Sequence, residues 1–156
     1  IRWLGVSNYS APQLRVALDT VGGPADGGVI SVQNQLGPAY RQQMDVLEVC
    51  EEFGLAFLPW SPMKGVRSSE AGSPVYERFA AVASASANDI FAVAQAWLRS
   101  LSPTIVPLPG VTRVDSVLAN LAASKLRLSP SQLDMLADLP ESLPLDDELV
   151  RDQPLN

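Results

Sequence analysis

A single cysteine, Cys50, is all that this 156-residue chain carries, which rules out an internal disulfide and points to a reducing compartment. It lies in "MDVLEVCEEFG", where Met44, Leu47 and Cys50 recur at helical spacing, so it reads as a small buried apolar side chain rather than a nucleophile. No apolar run approaches the ~20 residues that span a bilayer, and the sequence as it starts, at Ile1, carries no signal-peptide pattern. The expectation is a cytoplasmic protein with no membrane partner. Cations are scarce, with 11 Lys and Arg against 17 Asp and Glu and a net charge of −6. That balance argues against nucleic acid as a partner, because a phosphate-binding surface needs clustered positive charge.

What is present fits one globular domain, with 47% hydrophobic and 18% charged residues. The acidity is uneven. From Pro140 onward, Glu141, Asp146, Asp147, Glu148 and Asp152 face one cation, Arg151, so this segment holds four of the six net negative charges. We divide the chain into a body, 1–139, and an acidic, proline-rich tail, 140–156, expected to be loosely ordered or draped over a neighbour. The body opens on Ile1 inside a strand-like run, which reads as a piece of something longer.

Four short apolar runs close on polar, Gly or Pro residues: "IRWLGVSNYS", "GGVISVQNQ", "GLAFLPWSPM" and "TIVPLPGVTR". Helical patterns separate them. Ser10 to Gln13 is a capping box for a helix reaching about Thr20, and Arg41 to Phe53 repeats its apolar positions up to Gly54. Asp89 to Leu101 is the second of two helices in the long apolar stretch after Pro74. Thr112 to Asp115 and Ser129 to Gln132 start two more. Strands alternating with helices predict an α/β fold of parallel strands joined by crossover helices, with functional residues gathered at the strands' C-terminal ends.

In this order and spacing, "GVSNYS", "VQNQLGPAYR", "LPWSPM", "AQAWLRS" and "IVPLPGVTRVDSVLAN" resemble consecutive signatures of the aldo-keto reductase family. The resemblance covers nearly everything but the tail and implies half of a (β/α)8 TIM barrel, strands five to eight with their helices. It also implies a nicotinamide dinucleotide, NADP (as NADPH) by preference with NAD as the other choice.

Carried over residue by residue, the resemblance gives Ser7 and Asn8, with Gln33, the task of binding the nicotinamide carboxamide, which needs both a donor and an acceptor. The alternative is that Ser7 and Asn8 form a turn that caps the next helix. Trp60 matches a ring that stacks on nicotinamide, whereas Trp3 and Trp97 read as core tryptophans. Ser61, Met63 and Gly65 match the loop that passes the pyrophosphate, with Lys64 and Val66 where a second small residue is common. Gly110, Thr112 and Arg113 match the adenosine-phosphate end, Thr112 doubling as a helix N-cap and Arg113 facing a 2′-phosphate or else solvent. Asn120 matches an adenine contact. Ser116 and Ala119 depart from the family pattern, which predicts weaker adenosine binding or an altered choice of dinucleotide.

The resemblance also says what is missing. The family's Tyr, Lys, Asp and His belong to the other half of the barrel, this chain has no histidine, and Tyr9, Tyr40 and Tyr76 stand in other contexts. No catalytic residue and no metal ligand is assigned, and the chain alone is not expected to be an effective reductase. Half a barrel leaves open edges and an uncovered face, so a homodimer or a complementary N-terminal half is the expected partner. The competing reading is a non-enzymatic relic, or an engineered half-barrel, that self-associates around idle site residues.

Overall fold

The structure, a computed structural model, describes residues 1–143. Three parallel strands form its sheet in the order β1 (Leu4–Ser7), β2 (Val29–Gln33), β3 (Ala56–Phe57). Ser7 is in register with Gln33, and Val32 with Phe57. Between and after the strands run α1 (Ala11–Val21), α2 (Met44–Phe53), α3 (Pro74–Ala85), α4 (Ile90–Leu101), α5 (Val114–Ala123) and α6 (Pro130–Met135). None of these helices is long and apolar enough to cross a membrane.

Local chemistry places most of the boundaries. Ser10 and Ser129 each complete a capping box, satisfying amides that a helix start leaves unpaired. Asp89 caps α4 by accepting from the Phe91 N–H at 2.8 Å. Gly54 ends α2 at φ 68, a left-handed conformation that glycine adopts without penalty. α2 begins at Met44 rather than Arg41. The Arg41 guanidinium is drawn instead to the Pro38 and Pro140 carbonyls, and its burial lowers its pKa.

The core lies where α1 to α4 cover the sheet. Leu14, Val32, Val46, Cys50, Leu55, Phe57, Phe79, Val82, Val93 and Leu98 are buried there, and the Phe79 ring meets Trp97 edge-on at 5.5 Å. Burial pushes the Cys50 thiol up to about 12, in keeping with its apolar role.

Three expectations need correction. The fourth apolar run is not a strand but a single parallel bridge, Phe57 to Ile105. The Phe57 N–H reaches Thr104 O at 3.0 Å and the Val106 N–H reaches Phe57 O at 2.9 Å, but the next donor in register would come from residue 59, a proline. Trp3 is not a core tryptophan: β1 is an edge strand, no neighbour among the described residues covers Trp3, and it is 57% exposed. Trp97 is buried as expected. Thr112 does not cap α5; the first turn closes on the Arg113 carbonyl, which accepts from Ser116 and Val117, and Arg113 is the cap without a side-chain bond.

The expectation about the tail concerns mostly residues 144–156, which lie outside the described residues. Its first residues are tied to the body. Ser142 Oγ accepts from the Arg41 N–H at 2.8 Å, and the Leu143 N–H donates to Ala39 O at 2.9 Å.

Candidate functional site

At the C-terminal ends of the strands, residues distant in sequence form one hydrogen-bonded group. The Ser7 hydroxyl donates to Gln33 O at 2.8 Å, and the Asn8 N–H donates to the same carbonyl at 3.1 Å. Trp60 closes the group, its indole N–H donating to Asn8 Oδ1 at 3.0 Å. Asn8 has φ 57 and Ser61 φ 52. Non-glycine residues held left-handed concentrate at functional sites. The capping role considered for Ser7 and Asn8 is filled by Ser10.

Beneath this group sits a strut that sequence reasoning left without a role. Asn34 is 1% exposed. Its Oδ1 accepts from the Tyr9 N–H at 3.2 Å, while its Nδ2 donates to Tyr9 O at 2.7 Å and Gln43 Oε1 at 2.6 Å. The amide thus replaces a piece of sheet ladder beyond the end of β1 and pins it to the start of α2. Because Gln43 serves Asn34, α2 has no side-chain cap.

From Trp60 the chain turns directly into a cleft of about 800 Å³. Ser61, Met63, Gly110, Arg113 and Asn120 line it together. Arg67, Asp89, Phe91, Gln95 and Asp115 join them there without having been picked out from the sequence. Asp89 is engaged as the α4 cap. The single salt bridge among the described residues is Arg15 to Glu52 on the outer surface, so Arg67 and Arg113 line the cleft with no ion-pair partner among those residues. A Cβ built on Gly110 would meet only open space.

Gly65 and Thr112 do not line the cleft. Gly65 is at φ 102, and a Cβ there would come within 2.9 Å of Ala39 N, so close packing requires glycine. Its N–H donates to Glu70 Oε2 at 2.9 Å, and the Arg67 N–H shares that oxygen at 3.0 Å. The bulkier neighbours fix the loop: Val66 is fully buried, and the Lys64 ammonium lies 5.8 Å from the centre of the Tyr40 ring. Ser116 and Ala119 line the cleft as the small side chains they are.

The sequence model of the aldo/keto reductase family matches residues 1–141. The chain belongs to the aldo/keto reductase family. It is 33% identical over 101 residues to an uncharacterised oxidoreductase of Schizosaccharomyces pombe, covering 65% of this chain and 32% of that protein. With the pyridoxine 4-dehydrogenase of Escherichia coli it shares 27% identity over 136 residues, covering 87% of this chain and 44% of the relative. A thermostable aldo-keto reductase solved with the inhibitor epalrestat superposes with a TM-score of 0.73 at 25% identity, over 90% of this chain and 49% of that one. The chain therefore spans less than half the length of these relatives. Its parallel α/β fold is that of its aldo-keto reductase barrel neighbours.

Proposed function

We propose that this chain is the nicotinamide-dinucleotide-binding half of an aldo-keto reductase, the half carrying strands five to eight of the (β/α)8 barrel. One observation carries the reading: the bonded group Ser7, Asn8, Gln33 and Trp60 continues through Ser61 into the arginine-lined cleft. The chemistry of the donor set fits the cofactor. The Ser7 O–H donates to Gln33 O and its oxygen keeps lone pairs as acceptors, whereas Asn8 Oδ1 accepts from Trp60 and its Nδ2 remains as a donor. A carboxamide needs that complement, and the Gln33 side chain would extend it.

Trp60 would hold one nicotinamide face, leaving the other open to substrate. Ser61 and Met63 would flank the pyrophosphate, with Gly65 shaping their loop from behind. Gly110 would let backbone approach the adenosine half, with Thr112 beside it. Arg113 and Arg67, which both line the cleft, would meet phosphate and favour NADP over NAD. Asn120 would take the base. When bound, a reduced nicotinamide supplies a hydride equivalent to a carbonyl carbon.

The proton that completes the alcohol has no evident donor among the described residues, because Tyr9, Tyr40 and Tyr76 all lie off the cleft. The general acid is therefore assigned to a complementary N-terminal half, while a second copy of this chain would serve only as a packing partner. Either would cover the exposed Ile1, Trp3 and Leu4 at the β1 edge and Val114, Leu118 and Leu121 on α5.

Titrating the chain with NADPH, followed by tryptophan fluorescence and calorimetry, tests the reading. Saturable binding that Trp60→Ala abolishes supports it. No saturation up to millimolar NADPH would leave the competing one, an associating scaffold with idle site residues. Analytical sedimentation tests the partner separately, and a stable monomer at micromolar concentration would reject self-association.

A further inference from the structure

Gln95 is the one long polar side chain buried in the middle of α4, between Ala94 and Ala96 and only 4% exposed. A buried amide costs stability unless it is paired. Its Nε2 donates to Asn120 Oδ1 of α5 at 2.6 Å. Both residues line the cleft, and so does Phe91, one helical turn before Gln95 on the same face of α4.

A primary amide carries acceptor capacity on oxygen and two donors on nitrogen, and a half-turn of its terminal torsion exchanges which end it presents. With Oδ1 turned toward Gln95, the end of the Asn120 amide left for the cleft is Nδ2 with its donors, the oxygen keeping its second lone pair on the Gln95 side. We infer that Gln95 is a positioning residue that fixes Asn120 as a donor, so that the cleft reads an acceptor on the purine ring rather than its exocyclic amine. Adenine presents both kinds of group along one edge, a ring-nitrogen acceptor and the N6 amine, whereas a purine with a 6-oxo group presents acceptors only. The inference rests on the proposed dinucleotide reading and adds a specificity to it. A donor-presenting Asn120 tolerates a 6-oxo purine in place of adenine. An acceptor-presenting one does not, since a carbonyl oxygen facing another oxygen is left unpaired.

The test compares NADPH with its hypoxanthine analogue by calorimetry on the chain and on Gln95→Glu. In the parent chain the two dinucleotides should bind within about twofold of each other. Once ionised, a carboxylate at position 95 can only accept, so the comparison is made at a pH where the variant's binding no longer changes with pH, and there Asn120 must turn its nitrogen inward and its oxygen to the ligand. The ratio should then move toward adenine by about three- to tenfold, the range of one hydrogen bond. A merely structural Gln95 would weaken both ligands together and leave the ratio where it was, overturning the positioning role while the dinucleotide reading stood. Failure of the parent chain to bind either dinucleotide would overturn both. Should Gln95→Glu fail to fold, the Asn120 side-chain amide signal decides: it should shift in the parent chain with both dinucleotides, and no shift with either would refute the inference.

Discussion

α4 and α5 lie side by side and share the cleft, yet they live in different surroundings. α4 runs between α3 and α5 and buries Val93, Ala94, Ala96, Trp97 and Leu98. α5 is as rich in apolar residues but buries only Ala123, while Val114 is 75% and Leu121 61% exposed. A helix with apolar residues on more than one face is written for a covered environment on each of them. The described residues supply α5 with one covering side, through α4, and leave the other open. The strand-tip end of the site thus rests on a closed core, and the Asn120 end rests on a helix held from one side.

The sharpest way to break that comparison is on the packed side. Phe79 is fully buried and stacks edge-on against Trp97 of α4, so Phe79→Ala should cost about 3–5 kcal/mol in urea unfolding. A loss below about 1 kcal/mol would mean that the α3–α4 layer is no better packed than α5. Asn34→Ala comes next, at about 1–3 kcal/mol, because it strands the Tyr9 N–H and C=O and the Gln43 oxygen. NADPH binding should weaken with it, since Asn34 holds the backbone that presents Asn8.

Alkaline pH sharpens the same contrast. Folding holds the Cys50 thiol protonated up to about 12, whereas in the unfolded chain it ionises near the ordinary value of ~8.5. Above that lower value the unfolded state has lost a proton that the folded state keeps, so stability is intact below it and falls as pH rises toward 12. Unfolding midpoints measured at pH 8 and pH 10 should show the drop, and Cys50→Ala should flatten it. An equal slope in both proteins would assign the pH dependence elsewhere.

Features that depend on a few neighbouring residues were legible in the sequence. The Ser10 and Ser129 capping boxes and the glycine stop at Gly54 each follow from a four- or five-residue pattern, and the structure keeps them. Misreadings arose where the deciding partner lies across the fold. Trp3 looks like core until the strand that would cover it is found to be absent from the described residues. The run at Ile105 has a strand's composition, but its ladder stops for want of an amide on Pro59, far away in sequence. The candidate site divides in the same way. Asn8, Gln33 and Trp60 were visible through family spacing and are bonded together, whereas Asn34 was expected at the same strand-tip face without its bonding role, and Gln95 was silent, because their partners lie 9 to 25 residues away.

The smallest stability effect is expected on α5, and there it says the most. Leu118 is 59% exposed, so Leu118→Ser should change the stability of the isolated chain by no more than about 0.5 kcal/mol. The apolar area it removes counts only when something covers it, at roughly 25 cal/mol per Å². If a second copy or a complementary half seats on α5, the same substitution should shift the association equilibrium in sedimentation while the unfolding curve of the monomer stays put. A loss of stability comparable to that of Phe79→Ala would show instead that α5 is already packed within the chain, and the contrast between the two helices would collapse.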